Sequence, residues 1–444
     1  MPSYIESTLS FFNRLRRAST VQKSQQSELE LAACHLLLNM TFRLPENAKY
    51  DRLVGFRVLW RMLKRPAQNW IQPLSGNENI AIVGATHRNR ELIVEYIERS
   101  SGKKASAYLA KDFSVFPKST SPADRMKWFF FALHVSLDCF FSDKRANKAL
   151  MIFSAVEIAS ILEYVVENKI QYVYDFIPYE VDGNALSLLL KERGVGITKI
   201  PSSGPLTTHN RWMVGDEIIL SSAYQLEELK LIDDTIRCAK RTVWPPEKAF
   251  TYLHIYQDRP VPPKKTIGYF SHAEWIRREE GHGHNGIDVE GTESEMWRDL
   301  IRFISERDGY KLIVFPHPHE RKPELKERME KYYQNLFGAI PFEIIGAEFK
   351  TPHAFHLVDV AVVSYSTIIY ERLFCGYKLL IATNKIDEFP LKGSPLHHIC
   401  FKNYEDMAAK IVAAENQSDN EFYESNGLVG YRYFDRPELE AMYK

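Results

Sequence analysis

Short apolar runs alternate with amphipathic helical runs along most of this 444-residue chain, and a cluster of prolines interrupts the alternation once. The cluster lies in 244–265, a stretch that contains five prolines. Strands that alternate with helices predict parallel sheets, because parallel neighbours need a crossover between them. Proline-rich segments commonly join domains. The sequence therefore predicts an α/β protein with two Rossmann-like domains, a ligand cleft between them and a helical N-terminal extension.

The predicted organisation has these parts in chain order. The helical extension covers 1–75, and the N-terminal Rossmann-like domain, expected to hold an acceptor, covers 76–245. A proline-rich linker covers 246–265. The C-terminal Rossmann-like domain, expected to hold a donor, covers 266–405, and a closing helix and tail cover 406–444.

Strands are predicted from apolar runs of four to six residues bounded by turn residues. After its opening strand, the first domain is predicted to contain strands at 106–110, 149–153, 171–176, 197–200 and 217–221. Those of the second domain are 266–271, 311–315, 342–345, 358–363 and 378–382.

Charge and cysteine usage narrow the class of protein. Lys+Arg and Asp+Glu both number 57, so the formal net charge is zero, whereas nucleic-acid-binding proteins usually carry a positive excess. The five cysteines are widely spaced and form no CxxC pair, which favours a reducing compartment. The longest apolar run, 128–141, is shorter than the roughly 20 residues of a membrane span and is predicted to be a buried helix. We expect a cytoplasmic protein that does not bind nucleic acid.

The N-terminal extension is basic and aromatic. Residues 1–70 contain 11 Lys/Arg against 5 Asp/Glu, with Phe11, Phe12 and Trp60 among the basic residues. One interpretation is that the apolar face packs on the protein while the basic face is solvated. The other is that the helices lie on an anionic membrane surface, which would make the protein peripheral on the inner face of the membrane.

Hydroxyl residues follow an apolar strand near the end of the second domain. The strand 358–363 leads into Ser364, Ser366 and Thr367, and a helix is expected to begin there with Ser366 as its N-cap. Free amides and hydroxyls at such a position favour phosphate. Glu371, one turn into the helix, suits a sugar hydroxyl. An ordinary capped helix is the alternative.

Two other strand ends carry histidines. The strand 311–315 leads into His317, Pro318 and His319, and flanking prolines restrict the backbone around an imidazole that can donate to phosphate. The first strand of the domain is followed by Ser271 and His272, which should face the same cleft. A His-x-His metal site and a plain surface loop are the alternatives.

The order and placement of these motifs resemble GT-B glycosyltransferases, and above all bacterial sialyltransferases, polysialyltransferases and Kdo transferases. Those enzymes use a His-Pro motif and a Ser-Ser/Ser-Thr motif to bind the phosphate of the donor nucleotide. The resemblance implies that His317 and Pro318, together with Ser364, Ser366 and Thr367, hold the donor phosphate, with Glu371 nearby. The same motif pair is similar to that of CDP-polyol phosphotransferases of teichoic acid synthesis.

The resemblance also implies a general base in the first domain. Sialyltransferases of this type have two adjacent acids before a glycine, whereas this chain has Glu180 and Asp182 in a Glu-x-Asp-Gly pattern. A carboxylate or imidazole can take the proton of an attacking hydroxyl. His87, after the first strand of the domain, is the rival base. Glu180 and Asp182 are alternatively the N-cap of the following helix.

These features predict an inverting, metal-independent glycosyltransferase without a cofactor. Its donor would be a CMP-activated nonulosonate or Kdo, and its acceptor a bacterial surface glycan, capsule or lipopolysaccharide, that is lipid-linked while it grows. A CDP-polyol phosphotransferase, a two-domain nucleotide-sugar epimerase and a non-catalytic nucleotide- or glycan-binding scaffold are the alternatives.

Overall fold

A computed structural model gives the structure of the chain. It describes residues 7–8, 10–12, 14, 28, 71–85, 90–111, 121–123, 126–127, 130, 146–177, 183–201, 213–221, 225, 236–244, 259–279, 289–346, 349, 351–364, 366–384 and 394–432. The chain divides into two compact units. Unit 1 consists of Met1–Ser202, Leu206–Leu220 and Leu229–Glu247, and unit 2 of the remainder, chiefly Lys248–Lys444.

Unit 1 is an α/β unit built on a mixed sheet. Its described strands are β1 (Ile71–Pro73), β2 (Glu78–Ala85), β3 (Ala105–Lys111), β4 (Tyr172–Asp175), β5 (Gly196–Lys199), β6 (Met213–Leu220) and β7 (Ile236–Val243). Its described helices are α1 (Arg90–Ser101), α2 (Ala146–Glu167) and α3 (Gly183–Lys191). Residues of α2 and α3 share a core with alternate residues of the sheet, so both helices cover one face of it.

The strands of unit 1 lie in the order β1-β3-β2-β4-β5-β6-β7. All described pairs are parallel except β1 with β3, which are antiparallel. From β2 the chain moves outward to β3 and then crosses back to β4 on the other side of β2. The connections thus reverse direction between β2 and β4, and a crevice opens there at the carboxyl ends of the strands. We call this position the unit 1 switch point.

Unit 2 contains a wholly parallel sheet among its described residues. Its strands are β8 (Thr266–Phe270), β9 (Lys311–Phe315), β10 (Phe342–Ile344), β11 (Val360–Val363), β12 (Lys378–Ala382) and β13 (Cys400–Phe401). Its helices are α4 (Glu274–Glu279), α5 (Val289–Ser305), α6 (Lys326–Phe337), α7 (Ile368–Phe374), α8 (Tyr404–Asn416) and α9 (Asp419–Ser425).

The strands of unit 2 lie in the order β10-β9-β8-β11-β12-β13. With β8 counted as the first strand, this is the Rossmann order 3-2-1-4-5-6. The connections reverse between β8 and β11, whose register pairs Val360 with Ile267 and Val362 with Tyr269. The unit 2 switch point therefore lies where Phe270 and Val363 end their strands. Both units are Rossmann-like, in agreement with the predicted fold class.

Apolar periodicity explains why the helices of unit 2 cover its sheet. In α5 the buried residues Met296, Leu300 and Phe303 recur at helical spacing, and α6 repeats the pattern with Tyr333 and Phe337. The strands themselves are apolar on both faces, as a parallel sheet covered by helices on both sides requires. Burial of these faces holds the strand ends in fixed positions.

A buried arginine anchors α7, the helix that follows β11. The guanidinium of Arg372 donates from Nε to Lys378 O at 2.9 Å and from Nη1 to Phe355 O at 2.8 Å. Nη2 donates to Val358 O at 2.8 Å. Burial lowers the pKa of Arg372 to about 10, and these carbonyl partners compensate the cost of burying it. The last turn of α7 is thereby fixed against the segment before β11 and the start of β12.

Several local predictions differ from the structure. Residues 149–153, predicted to be a strand, belong to α2, because an apolar run of that length is compatible with either state and the helical run after it continues without a break. Residues 71–73, in the predicted helical extension, form the edge strand β1. The run 128–141 lies outside the described residues apart from Phe130, which is exposed. Within the described part of the chain, no helix is both long and apolar enough to cross a membrane.

Candidate functional site

The candidate site is the carboxyl edge of the unit 2 sheet around its switch point. Three neighbouring strands, β9, β8 and β11, end there in loops that contain or adjoin all eight residues predicted to bind the donor. These residues are Ser271, His272, His317, Pro318, Ser364, Ser366, Thr367 and, one turn into α7, Glu371. The predicted bases His87, Glu180 and Asp182 lie outside the described residues.

The loop after β8 has a left-handed backbone. Ser271 N donates to Phe315 O at 3.0 Å, which continues the sheet by one residue. Ala273 then adopts a φ of 59°, although it is fully buried and not a glycine. Its N–H donates to Ser271 Oγ at 2.9 Å. A left-handed alanine costs roughly 1–2 kcal/mol, and such strain often occurs in ligand-binding loops.

A side-chain hydrogen bond joins the two loops of the switch point. Ser364 Oγ lies 3.0 Å from Nδ1 of His272. Both side chains are buried, so they contact each other rather than the surface. The bond ties the loop after β8 to the loop after β11, where the connections of the sheet reverse.

A buried carboxyl group lies against His272. Glu293 Oε1, from the first turns of α5, lies 3.3 Å from the backbone N of His272 and 3.6 Å from Nδ1 of its ring. Tyr269 OH donates to the same oxygen at 3.3 Å. Burial, followed by the proximity of Glu274 and Glu320, raises the pKa of Glu293 well above its ordinary value of 4.5. Burial thus favours the neutral, protonated form of Glu293 over the carboxylate.

A second buried carboxyl group holds the loop after β9. Glu320 Oε1 accepts from Trp275 Nε1 at 2.5 Å and from Tyr333 OH at 2.8 Å, and Oε2 accepts from His317 N at 2.6 Å. Burial raises the pKa of Glu320 above 4.5, although each of these donors opposes the rise. Three donors on one carboxyl group fix the backbone of His317.

The ring of His317 is oriented by its own loop. His319 N donates to His317 Nδ1 at 3.2 Å, so the neutral ring carries its proton on Nε2. His317 is half-buried, whereas Pro318 and His319 are exposed. The guanidinium of Arg321 next to this loop donates to Pro316 O and Phe349 O, at 2.8 and 2.7 Å. His317 thus presents an N–H donor at the carboxyl edge of the sheet.

The loop between β11 and α7 provides hydroxyl groups. Ser366 and Thr367 are half-buried, unlike Ser364, and Glu371 is half-buried in α7. The N-cap of α7 is Thr367 rather than the predicted Ser366, but Ser366 Oγ still accepts weakly from Ile368 N at 3.4 Å. The side chains of Ser366 and Thr367 are therefore more exposed than that of Ser364.

The carboxyl edge of unit 1 next to its switch point has a different construction. Asp175 ends β4, Lys199 ends β5, and their fully buried side chains form an ion pair of 2.8 Å. Lys199 Nζ also donates to Gly183 O at 2.8 Å, and Asp175 Oδ1 accepts from Ile177 N at 3.0 Å. One ion pair thus holds the backbone on both sides of 178–182, the segment that includes Glu180 and Asp182.

The sequence interpretation missed Glu293 and Glu320 as parts of the site. The segment 292–295 has the pattern of a capping box that starts a helix, whereas α5 begins earlier, at Val289. Helical spacing from Met296 and Leu300 places Glu293 on the apolar face, and that signal was available. Glu320 carried only a weak signal, since its role depends on α4 and α6. Within the described residues, no group of three or more His, Cys, Asp or Glu side chains is arranged to hold a metal ion.

Comparisons with known proteins give distant structural similarity only. The UDP-GlcNAc 2-epimerase from Neisseria meningitidis bound to UDP-GlcNAc is 12% identical, covering 80% of this chain and 94% of that chain, with a TM-score of 0.45. A mutant of the Thermobaculum terrenum O-GlcNAc transferase is 13% identical, covering 93% of this chain and 76% of that chain, with a TM-score of 0.40.

Acinetobacter baumannii MurG is 11% identical, covering 80% of this chain and 99% of that chain, with a TM-score of 0.40. At such identities and TM-scores these similarities carry no argument about this chain, whose fold rests on its own strand order. No protein-family model matches the sequence, and no curated protein matches it.

Proposed function

We propose that the chain is a GT-B-type glycosyltransferase that binds the phosphate of a nucleotide-sugar donor at the unit 2 switch point. One observation carries the proposal. The loops after β9 and β11, the two neighbours of β8 in a Rossmann-ordered sheet, bring the His317 ring, Ser366 and Thr367 to the same edge. In open α/β sheets, ligands bind outside the carboxyl ends of the strands at the point where the strand order reverses.

The charges at this edge favour a donor with a single phosphate. Among the described residues of the three loops, the groups that can donate to an anion at the surface are imidazoles, hydroxyls, backbone amides and the exposed ammonium of Lys322. The one guanidinium there, on Arg321, donates to backbone carbonyls. Imidazole and hydroxyl donors suit the single charge of a sugar phosphodiester, which supports a CMP-linked nonulosonate or Kdo as the donor.

The proposed reaction is an inverting single displacement without a metal ion. A base from unit 1, Asp182 or Glu180 with His87 as the rival, takes the proton of the acceptor hydroxyl as its oxygen attacks the anomeric carbon. The bond from that carbon to the phosphate oxygen breaks at the same time. His317 Nε2–H and the hydroxyls of Ser366 and Thr367 stabilise the charge that develops on the departing phosphate.

The proposed acceptor is a growing bacterial surface glycan on the cytoplasmic side of the membrane. The basic residues of the N-terminal extension support a location close to lipid-linked acceptors. No nucleic acid partner and no cofactor belong to this proposal.

The first test is a thermal-shift screen against CMP, CDP, UDP, GDP and ADP. A ligand present at about 100 times its Kd stabilises the folded state by about 2.7 kcal/mol, which a melting curve resolves. A shift with CMP supports the proposed donor. A shift with UDP or GDP keeps the site but contradicts the donor, and a folded protein that no nucleotide stabilises contradicts the proposal.

The second test measures transfer, with CMP release from CMP-linked nonulosonate and Kdo donors, before and after addition of EDTA. His317→Ala should lower kcat/KM by about 100-fold or more, since it removes a donor to the leaving phosphate. His397→Ala is the matched control, because His397 is exposed and precedes β13, which lies two strands away from β11 in the sheet. Polyol-phosphate transfer from CDP-polyols would identify the phosphotransferase instead, and binding without any transfer would identify a scaffold.

A further inference from the structure

Glu293, His272 and Ser364 form a buried chain beneath the proposed phosphate site. Glu293 Oε1 and Ser364 Oγ both face the same ring nitrogen, Nδ1 of His272, at 3.6 and 3.0 Å. Glu293 and Ser364 are fully buried, and His272 nearly so. The chain connects α5 to both loops of the switch point.

One proton can occupy this chain in two ways. In the first, Glu293 is a neutral acid, His272 is neutral with its proton on Nε2, and Ser364 donates to Nδ1. In the second, the Glu293 O–H bond has broken and an N–H bond has formed at Nδ1, which leaves a carboxylate beside an imidazolium. Ser364 then accepts from Nδ1 instead of donating to it. The net charge of the chain is zero in both arrangements.

The surroundings of Glu293 leave His272 as its only basic neighbour among the described residues. The titratable groups that face it are Tyr269 from β8, Glu274 from α4, Glu320 from the loop after β9 and Tyr333 from α6. All of these are acids, and no described lysine or arginine forms an ion pair or hydrogen bond with Glu293. Its second oxygen, Oε2, is buried and has no hydrogen-bond partner within the described residues. The described groups that contact Glu293 Oε1 are Tyr269 OH and the backbone N and ring of His272, and of these the ring nitrogen Nδ1 can accept a proton.

We infer that Glu293 is a positioning residue for the donor phosphate, and that an anion at the unit 2 switch point draws the shared proton from Glu293 to His272. The inference rests on the proposed function, which places that anion outside the loops of Ser364 and His272. A negative charge there stabilises an imidazolium below it, and the proton comes from within the protein. Phosphate binding then needs no proton from solvent at this chain.

The first experiment examines the ring of His272 in the protein without ligand. The ¹⁵N shifts of histidine-labelled full-length protein distinguish the neutral ring from the imidazolium, and His272→Gln identifies the signal. We expect a neutral ring with its proton on Nε2 at neutral pH, and an imidazolium when CMP is bound. An imidazolium in the ligand-free protein, or a neutral ring in the CMP complex, overturns the inference.

The second experiment measures CMP affinity against pH by calorimetry in wild type and Glu293→Gln. Above about pH 7 the phosphate of CMP is fully ionised, so its own titration does not interfere. In Glu293→Gln the imidazole must take its proton from solvent. For each unit by which the pH rises, the CMP affinity of Glu293→Gln should therefore fall about tenfold more than that of wild type. Binding to the variant should take up about one extra proton.

Two variants separate proton supply from simple loss of structure. Glu293→Asp keeps a titratable carboxyl group and should retain the wild-type slope with pH even if its affinity is lower. Glu217→Gln alters a partly buried glutamate of unit 1 and should change neither slope nor affinity. A Glu293→Gln slope equal to that of wild type overturns the inference.

Failure of the proposed function has its own signature. If CMP and the other nucleotides do not bind wild-type protein, the proposed function is contradicted, and the ligand-free ring still shows whether Glu293 or His272 holds the proton. If CMP binds and the slopes agree, the proposed function stands and the role of Glu293 does not.

Discussion

Next to the unit 1 switch point a buried lysine and aspartate are paired, whereas at the unit 2 switch point buried glutamates lie near a histidine and a serine. The pair Lys199–Asp175 has opposite full charges at 2.8 Å. In unit 2 the pKa values of Glu293 and Glu320 are raised by burial, and no described lysine or arginine pairs with either. The carboxyl edge of unit 1 thus carries a buried ion pair, whereas that of unit 2 carries buried carboxyl groups with raised pKa values, one of them beside an imidazole.

This difference indicates different roles for the carboxyl edges of the two sheets. A fixed ion pair holds backbone segments in place, and Lys199 and Asp175 hold both sides of 178–182. A carboxyl group with a raised pKa next to an imidazole, as Glu293 is to His272, can change its charge when an anion arrives, which suits a phosphate-binding edge. The comparison therefore supports donor binding at unit 2 and a positioning role at unit 1.

The largest loss of stability is expected from a substitution that breaks the ion pair of unit 1. Lys199→Met leaves Asp175 buried without its cation and should lower the free energy of unfolding by about 3–5 kcal/mol. Urea unfolding, with hydrogen exchange followed in β4 and β5, measures the loss in that unit.

The double variant Lys199→Met with Asp175→Asn is the control for this effect. Asparagine keeps the acceptor for Ile177 N but removes the unpaired charge, so much of the lost stability should return. A loss of less than about 1 kcal/mol in the single variant would show that the pair behaves like a surface salt bridge.

The next largest effect is expected at Glu320, whose carboxyl group accepts the hydrogen bonds that hold the loop of His317. Glu320→Gln replaces one carboxyl oxygen by an amide N–H₂ while three donors still face the group. One donor then lacks an acceptor, which should cost about 1–3 kcal/mol and also weaken CMP binding. Thermal unfolding and calorimetry measure the two losses. Unchanged stability together with unchanged CMP affinity would contradict the role given to Glu320.

The pH dependence of stability tests the raised pKa of Glu293. Above pH 4.5, its ordinary pKa, the unfolded chain releases the proton while the folded chain keeps it, so stability is lost as the pH rises toward the folded pKa. That loss amounts to at most about 1.4 kcal/mol per pH unit. Glu293→Gln should remove it, so the variant should gain stability over wild type between about pH 5 and pH 7 and match it below. If the stabilities of wild type and Glu293→Gln changed in parallel with pH, a raised pKa of Glu293 would be contradicted.

The smallest effect concerns the left-handed loop at the unit 2 switch point. Ala273→Gly relieves backbone strain of about 1–2 kcal/mol but raises the conformational entropy of the unfolded chain, which costs about 0.4–1 kcal/mol, so stability should rise by at most about 1.6 kcal/mol. Ala159→Gly in α2 is the matched control and should lower stability by about 1 kcal/mol, because glycine disfavours a helix interior. Equal losses from both substitutions would show that Ala273 is unstrained.

The sequence predicted the second unit better than the first, for physical reasons. The strands 311–315 and 378–382 agree with β9 and β12 residue for residue, because strands of a covered parallel sheet are apolar throughout and end at turn residues. In unit 1 the strand β7, with the sequence IRCAKRTV, was not predicted, since an edge strand tolerates charged residues that mask its pattern.

The candidate site was predictable at the level of strand ends but not of contacts. Motif spacing placed His317 and Ser366 at neighbouring loops, since carboxyl ends of parallel strands meet at one edge. It could not show that Ser364 and His272 face inward, toward each other, while Ser366 faces outward. The roles of Glu293 and Glu320 depend on helices far along the chain, and those contacts exist only in the folded unit.

The most direct measurement is hydrogen exchange of the full-length protein with and without saturating CMP, read by mass spectrometry. We expect slower exchange in the loops after β8, β9 and β11, covering 271–273, 317–320 and 366–368, and little change in 395–399, before β13, which lies two strands away from β11. Protection confined to unit 1, or to the amino edge of the unit 2 sheet, would contradict phosphate binding at the unit 2 switch point.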